Sequence, residues 1–396
     1  MTAQKAPFTL FMLMVVFSPL AIDIFLPAIP AMAEALRADM ASVQALVGLF
    51  VVSMGVGQLL AGPLADRYGR RPVALAGMAI YVLAALLGAW ANSIEWLWAS
   101  RLLQGLGTCG ISVAAFSGVR DSYPKDRLTA LYSYLNGVIC IVPALAPLLG
   151  GLLTEWWGWR ANFYFMAGYG ALAMAVIAWR LPETRPAHTD TQGPLLSFAR
   201  FQPVLSHPVF LFYGVMNLLA MAVILAYVSY APAVLMVEME QTPMAFAQWF
   251  GLNAAINIAG AFMAPSIIAR VGKRRGLQIG VGLCVLACLG LVGLQHWLHP
   301  LAFMGPVFLA SVGFCFLLAI SGGAALVPFG ERAGTASALL VCLQMSGAAL
   351  ALGLVSLLPL SAPLRLALLT LLPLAWWLLA RRRGQAYQQV QAAMQS

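Results

Sequence analysis

Two ionisable side chains stand where charge is expensive. Of the 13 acidic residues, twelve lie in polar intervals or near the ends of apolar stretches, and Asp23 alone sits deep inside one. Its only basic counterpart is Arg101. A charge at membrane depth costs about 2.5–3.5 kcal/mol on insertion scales, so each is a functional candidate. At a rise of about 1.5 Å per residue, Asp23 lies about 12 Å and Arg101 about 8 Å below the outer ends of their stretches, roughly level with one another. Desolvation and a nearby cation act on a carboxyl in opposite senses, so a change of exposure can load and unload it. Asp23 is therefore the expected proton-coupling group, and Arg101 a fixed charge that modulates it or holds an acceptor on a substrate. A static Asp23–Arg101 ion pair clamping two helices is the alternative.

Other chemistry has little to work with. His188, His207, His296 and His299 fall in loops or at the ends of apolar stretches, and HExxH, GxSxG and a phosphate-binding GxxxxGK[ST] loop are all missing from the sequence. An enzyme is not expected, nor a metal or other cofactor; the proton gradient would supply the drive. The six cysteines lie in apolar stretches without zinc-ligand neighbours and read as packing. Polar or aromatic residues near mid-depth are candidates for a substrate cavity: Gln104 and Asn136 early in the chain, then Tyr227, Tyr230, Asn253, Asn257 and Gln344. Interhelical hydrogen bonding explains a single Asn or Gln equally well.

The elements that must position these groups follow from composition. Of 396 residues, 62% are hydrophobic and 9% charged, and the mean hydropathy is +0.88. Soluble chains carry about 25% charged residues, so this one is expected to be solvated by lipid. Twelve apolar stretches of roughly 20 residues can each cross the hydrocarbon, from Phe8–Ala31 and Ser42–Leu64 through Arg127–Leu153 to Pro363–Ala380. The expected fold is all-α integral membrane, twelve transmembrane helices in two pseudo-symmetric six-helix halves: 1–181, a cytoplasmic interval 182–208, 209–380, and a tail 381–396. With both termini in the cytoplasm, eighteen of the 22 Lys and Arg fall inside and three outside, so the net charge of +9 encodes orientation and makes no case for nucleic acid. The amino-terminal apolar run is longer than a signal h-region and contains Asp23, which argues against cleavage.

The halves carry a faint internal repeat. Arg67-Tyr68-Gly69-Arg70-Arg71 reappears 203 residues later as Arg270-Val271-Gly272-Lys273-Arg274, with Ala269 where the first copy has Asp66. In the loop between the second and third spans, Gly69 permits a turn, while Asp66 can satisfy basic groups or a neighbouring helix amino terminus. The full string, Gly62-Pro63-Leu64-Ala65-Asp66-Arg67-Tyr68-Gly69-Arg70-Arg71, resembles the GxLaDrxGrr signature of the major facilitator superfamily. Arg101-Leu102-Leu103-Gln104-Gly105 resembles the RxxQG motif of its drug:proton antiporters. Gly137, Pro143, Pro147, Gly150 and Gly151 resemble the antiporter motif gxxxGPxxGG, with Ala146 in place of a glycine. Ile22-Asp23-Ile24-Phe25-Leu26-Pro27, Arg120-Asp121 and Pro182-Glu183-Thr184-Arg185 further resemble the Bcr/CflA group of twelve-span antiporters.

That resemblance implies alternating access by two six-helix halves and a gate at the cytoplasmic face built on Gly62, Asp66, Arg67, Gly69, Arg70 and Arg71. It also implies export of lipophilic drugs such as chloramphenicol- or bicyclomycin-like compounds, driven by protons across a bacterial inner membrane. The implied partners are a small lipophilic substrate, protons and the bilayer, with the protein a monomer. A proton-coupled carrier of a metabolite such as a nucleoside or sugar, in either direction, is the alternative.

Overall fold

A computed structural model describes residues 6–186 and 198–382. Among these residues the chain is helical with no strand, and twelve helices are long and apolar enough to cross a membrane. The first six spans are Phe8–Leu36, Met40–Tyr68, Arg70–Ala89, Ile94–Ser122, Ala130–Trp157 and Arg160–Arg180. The second six are Pro208–Glu238, Pro243–Val271, Lys273–Leu294, Pro300–Phe329, Thr335–Ser356 and Ala362–Arg381. These match the expected stretches in number and order. The second span runs several residues beyond Leu64, carrying Asp66 and Arg67 in its last turns rather than in a loop. The fifth begins and ends in the same extended way, its helix covering Lys125–Trp157.

The chain divides into two compact units at Leu196 and Ser197, inside the polar interval expected to join the halves. That interval is not wholly loop. A short helix, Phe198–Leu205, occupies part of it. Its apolar residues recur at helical spacing, and Val204 is buried. Lys5, residues 187–197 and the tail from Arg383 onward lie outside the described residues, as do the side chains of Lys125, Arg200 and Arg332.

The repeat hinted at by one basic loop extends through several spans. Gly69 and Gly272 both adopt positive φ, +106° and +86°, and each starts a helix. Asp39 caps the second span by accepting from the Ser42 N–H (2.8 Å), and Thr242, 203 residues on, caps the eighth by accepting from Ala245 N–H (3.1 Å). A Cβ on Gly57 would meet Cys109 Sγ, and one on Gly260 would meet Cys315 Sγ. Gly77 packs against the Gly107 carbonyl, just as Gly313 packs against that of Gly280. Small residues let these backbones approach closely where lipid offers no hydrophobic drive. Within span 4 the offset is 206 residues, which places Val307 and Ala310 opposite Arg101 and Gln104. Both are buried and apolar, so span 10 carries no counterpart of Arg101 and Gln104 at these positions.

Candidate functional site

The first span is broken at the acid. Pro19, Pro27 and Pro30 each lack an N–H, and a proline ring also crowds the preceding turn. Helix runs over Phe8–Val15 and Phe17–Asp23, then a 3₁₀ turn over Leu26–Ala28 leads into Ile29–Leu36. Asp23 is the last residue of its segment and only 4% exposed. Its carboxyl makes no hydrogen bond or ion pair among the described residues.

Arg101 is fully buried on span 4. One terminal nitrogen donates to the Ala21 carbonyl at the end of the broken segment, and the other to Gln104 Oε1 (2.6 Å). A longer bond reaches the Leu46 carbonyl (3.5 Å). The guanidinium carbon lies 4.4 Å from the Phe25 ring centroid and 4.9 Å from that of Phe50, cation–π distances that partly replace lost hydration. Among the described residues no carboxylate oxygen lies within 4.0 Å of it. The static ion pair with Asp23 is therefore not formed. Neutral carbonyls and ring faces hold the cation, and the acid stands by itself a short distance along the chain. Gln104 is buried too, its amide oriented by Arg101 and by Met166 Sδ (3.8 Å), so it supports the guanidinium and presents no exposed surface.

The antiporter-like glycines divide in role. Gly150 abuts the Ile24 carbonyl, the first peptide oxygen after Asp23, so closely that a methyl group there would overlap it. Gly137 has open space around it, as does Gly62 in the other motif, and neither makes the close packing expected of small residues. Pro143 and Pro147 lie inside one continuous helix, and Gly151 is buried beside Gly150.

At the basic loop, four carboxylates and guanidiniums form one network. Arg70 is 3% exposed; its Nη1 bonds Asp66 Oδ1 (2.6 Å) and its Nε bonds Asp121 Oδ2 (3.0 Å) from span 4. Asp121 is 5% exposed and also takes Arg120 (3.0 Å), while Asp66 is 47% exposed. Asp66 thus pairs with a basic group. The amino terminus of span 3 is instead capped by Glu183, whose oxygens accept from the N–H groups of Arg70 (2.8 Å) and Arg71 (3.2 Å). Arg185 donates to the Asp66 carbonyl (3.2 Å) and to that of Arg67, closing the carboxyl end of span 2. Arg67 itself lies over the Tyr68 ring (5.8 Å), and Arg71 donates to the Ala178 carbonyl. Asp121, Glu183 and Arg185 carry roles the sequence reading did not assign. Their signal was membership of the Arg120-Asp121 and Pro182-Glu183-Thr184-Arg185 strings, at the end of span 4 and just past span 6, which named the residues without saying what they bond.

In the second half, Asn253 Oδ1 accepts from Ser311 Oγ (2.8 Å), tying span 8 to span 10. Asn257 donates to the Asn253 carbonyl (3.1 Å). Tyr227 stacks on Phe250 at 5.4 Å, and the Tyr230 and Ser356 hydroxyls are 2.7 Å apart. Tyr227, Tyr230 and Asn253 are buried; Asn257 and Gln344 are half-buried, and Asn136 is exposed. Gln344 sits in a π turn, Leu343–Gly347, within span 11. All six cysteines are thiols outside any disulfide, and no group of His, Cys, Asp or Glu among the described residues could hold a metal ion.

The sequence model of the Major Facilitator Superfamily matches residues 11–352. The chain belongs to this superfamily. It is a multi-pass membrane transporter and not an enzyme. It is 32% identical to a chloramphenicol resistance protein of Pseudomonas aeruginosa over 82% of this chain and 77% of that one. It is likewise 32% identical to the multidrug resistance protein MdtL of Klebsiella pneumoniae, over 88% of each chain. Solved structures of similar fold include a D-xylose-proton symporter (TM-score 0.74, 14% identity, 93% of this chain and 96% of that one) and a peptide transporter with bound sulfate (TM-score 0.75, 16% identity, 96% and 95%).

Proposed function

We propose that this superfamily member exports lipophilic drugs, of the chloramphenicol or broader multidrug kind, in exchange for protons. The relatives named for chloramphenicol and multidrug resistance support the substrate class. The Bcr/CflA group is the branch its motifs fit, and a monomer in a bacterial inner membrane with both termini cytoplasmic is the arrangement its charge distribution fits. No cofactor is required; the proton gradient is the energy source.

One observation carries the coupling. A carboxyl, buried and without a hydrogen-bonding partner, sits at the break of span 1, and the one nearby guanidinium is occupied by neutral acceptors. Such an acid is stable as the protonated form inside the bundle and as the carboxylate when it meets water or a cation, so alternating exposure makes it a proton carrier. Arg101 stays charged throughout and sets the field in which Asp23 titrates. The basic loop network serves as the gate, with Arg70 as its hub. Asn136, Asn257 and Gln344 are the candidates with a surface that a substrate can touch, whereas Gln104, Tyr230 and Asn253 act through neighbouring side chains.

Inverted vesicles under an imposed pH gradient test the reading. Wild-type vesicles should release protons when drug is added, and Asp23→Asn vesicles with equal protein content should release none. Undiminished drug-driven release from Asp23→Asn disposes of the proposal.

A further inference from the structure

The acid's break in span 1 is supported from a side chain two spans away. Asn162, in the first turn of span 6, is fully buried. Its amide nitrogen donates to Thr154 Oγ1 (2.8 Å) and to the Trp159 carbonyl (3.2 Å). Thr154 in turn donates to the Gly150 carbonyl (2.7 Å). Gly150 is the residue pressed against the Ile24 carbonyl, directly after Asp23. A chain of bonds thus runs from span 6 to Gly150 in span 5, and Gly150 packs directly against the carbonyl that follows the acid.

The orientation of the Asn162 amide is settled by these partners. The Trp159 carbonyl can only accept, and the Thr154 hydroxyl has given its proton to Gly150, so the amide nitrogen must face both. The oxygen is left aimed at the seam: it lies 3.2 Å from where a Cβ on Gly150 would sit, the same space the Ile24 carbonyl borders, and it has no donor. The Ile24 carbonyl is equally without a backbone donor, because Pro27 lacks an N–H and Ala28 turns to the Phe25 carbonyl (2.9 Å). An unpartnered buried oxygen lowers stability, so packing alone gives no reason for an amide here.

We propose that Asn162 is a positioning residue for Asp23: through Thr154 and Gly150 it fixes the Ile24 peptide and thereby the direction in which the Asp23 carboxyl is presented. The inference rests on the reading of Asp23 as the proton carrier. The other titratable groups facing this part of span 1 are Arg101 on span 4, Tyr81 on span 3 and Tyr169 on span 6, whose hydroxyl donates to the Leu13 carbonyl (2.7 Å), and none of them hydrogen-bonds the Asp23 carboxyl.

The test measures drug transport against pH in vesicles for Asn162→Leu, alone and combined with Asp23→Asn. If Asn162 acts through Asp23, the pH midpoint of proton-driven export moves by about half a unit or more, since the carboxyl's surroundings have changed. Passive drug flux in the Asp23→Asn background is then unaffected by adding Asn162→Leu. Thr154→Val, a milder cut in the same chain, moves the midpoint in the same sense by less, and it serves if Asn162→Leu does not reach the membrane. An unmoved midpoint in these variants, or an equal loss of flux in both backgrounds, overturns the proposal while leaving Asp23 as the carrier. Coupled export that survives in Asp23→Asn alone overturns the proton reading and this one with it.

Discussion

Replacing Asp121 with Asn should destabilise the protein far more than replacing Asp66, although Asp66 is the acid of the signature loop. Both carboxylates bond Arg70, at 3.0 Å and 2.6 Å, and Arg70 is 3% exposed. Asp121 is 5% exposed, so its charge and the one it neutralises are both out of water. Breaking a buried pair costs up to about 3–5 kcal/mol, and without Asp121 the buried Arg70 charge is left to the half-exposed Asp66. Asp66 is 47% exposed, and a pair screened to that degree contributes about 0–1 kcal/mol. At about 2–4 °C per kcal/mol for a unit of this size, Asp121→Asn should lower the apparent Tm by up to about 6–20 °C and Asp66→Asn by less than about 4 °C. The assay can use the protein's own thiols. Cys109, Cys284 and Cys315 are buried thiols outside any disulfide, so a thiol-reactive fluorophore reports unfolding in detergent as they emerge. Equal Tm losses for the two variants, or a larger loss for Asp66→Asn, would refute the reasoning from burial.

Further outcomes follow from the same geometry. Gly69→Ala should cost more stability than Gly272→Ala: both glycines have positive φ, but only at Gly69 does a Cβ strike a carboxylate, that of Glu183. The shared backbone strain is about 1–3 kcal/mol, because both glycines combine positive φ with extended ψ, and the excess at Gly69, read by the same thermal assay, isolates the Glu183 contact. Glu183→Gln should lower the Tm modestly, by the equivalent of about 0.3–1 kcal/mol, because a neutral amide still accepts from the span 3 amino terminus but loses the dipole attraction. Asp39 lies outside the spans, and the N–H and hydroxyl of Ser42 hold its carboxyl below the usual carboxylate range. A depressed folded-state value stabilises the fold above the unfolded value and is lost as pH falls through the folded one. The stability gap between wild type and Asp39→Ala should therefore be present at pH 7 and fade below about pH 4. A gap independent of pH would exclude the ionised cap.

Much of this protein was legible as a string of residues. Lipid is a solvent with one demand, that every backbone polar group bond within its own helix, and so apolar runs of about 20 residues translate almost directly into spans. For the same reason Asp23 and Arg101 were visible, since a charge inside such a run is costly and calls for either a function or a partner. The helical repeat was half visible: one basic loop showed it, but Asp39 with Thr242 and Gly57 with Gly260 share a fold role while differing in residue type or lying in unremarkable surroundings. Partner choice was not legible. Nothing in the order of residues said that Arg101 would bond the Ala21 carbonyl and Gln104 and leave Asp23 without it, or that Glu183 and not Asp66 would cap span 3. Those outcomes depend on where the helix of span 1 ends, which leaves the Ala21 carbonyl to Arg101, and on which loop ends meet at one end of the first half. Hydropathy is summed along the chain and survives without coordinates, whereas a hydrogen bond is decided by ångströms between groups as many as 164 residues apart, and only the packed helices supply them.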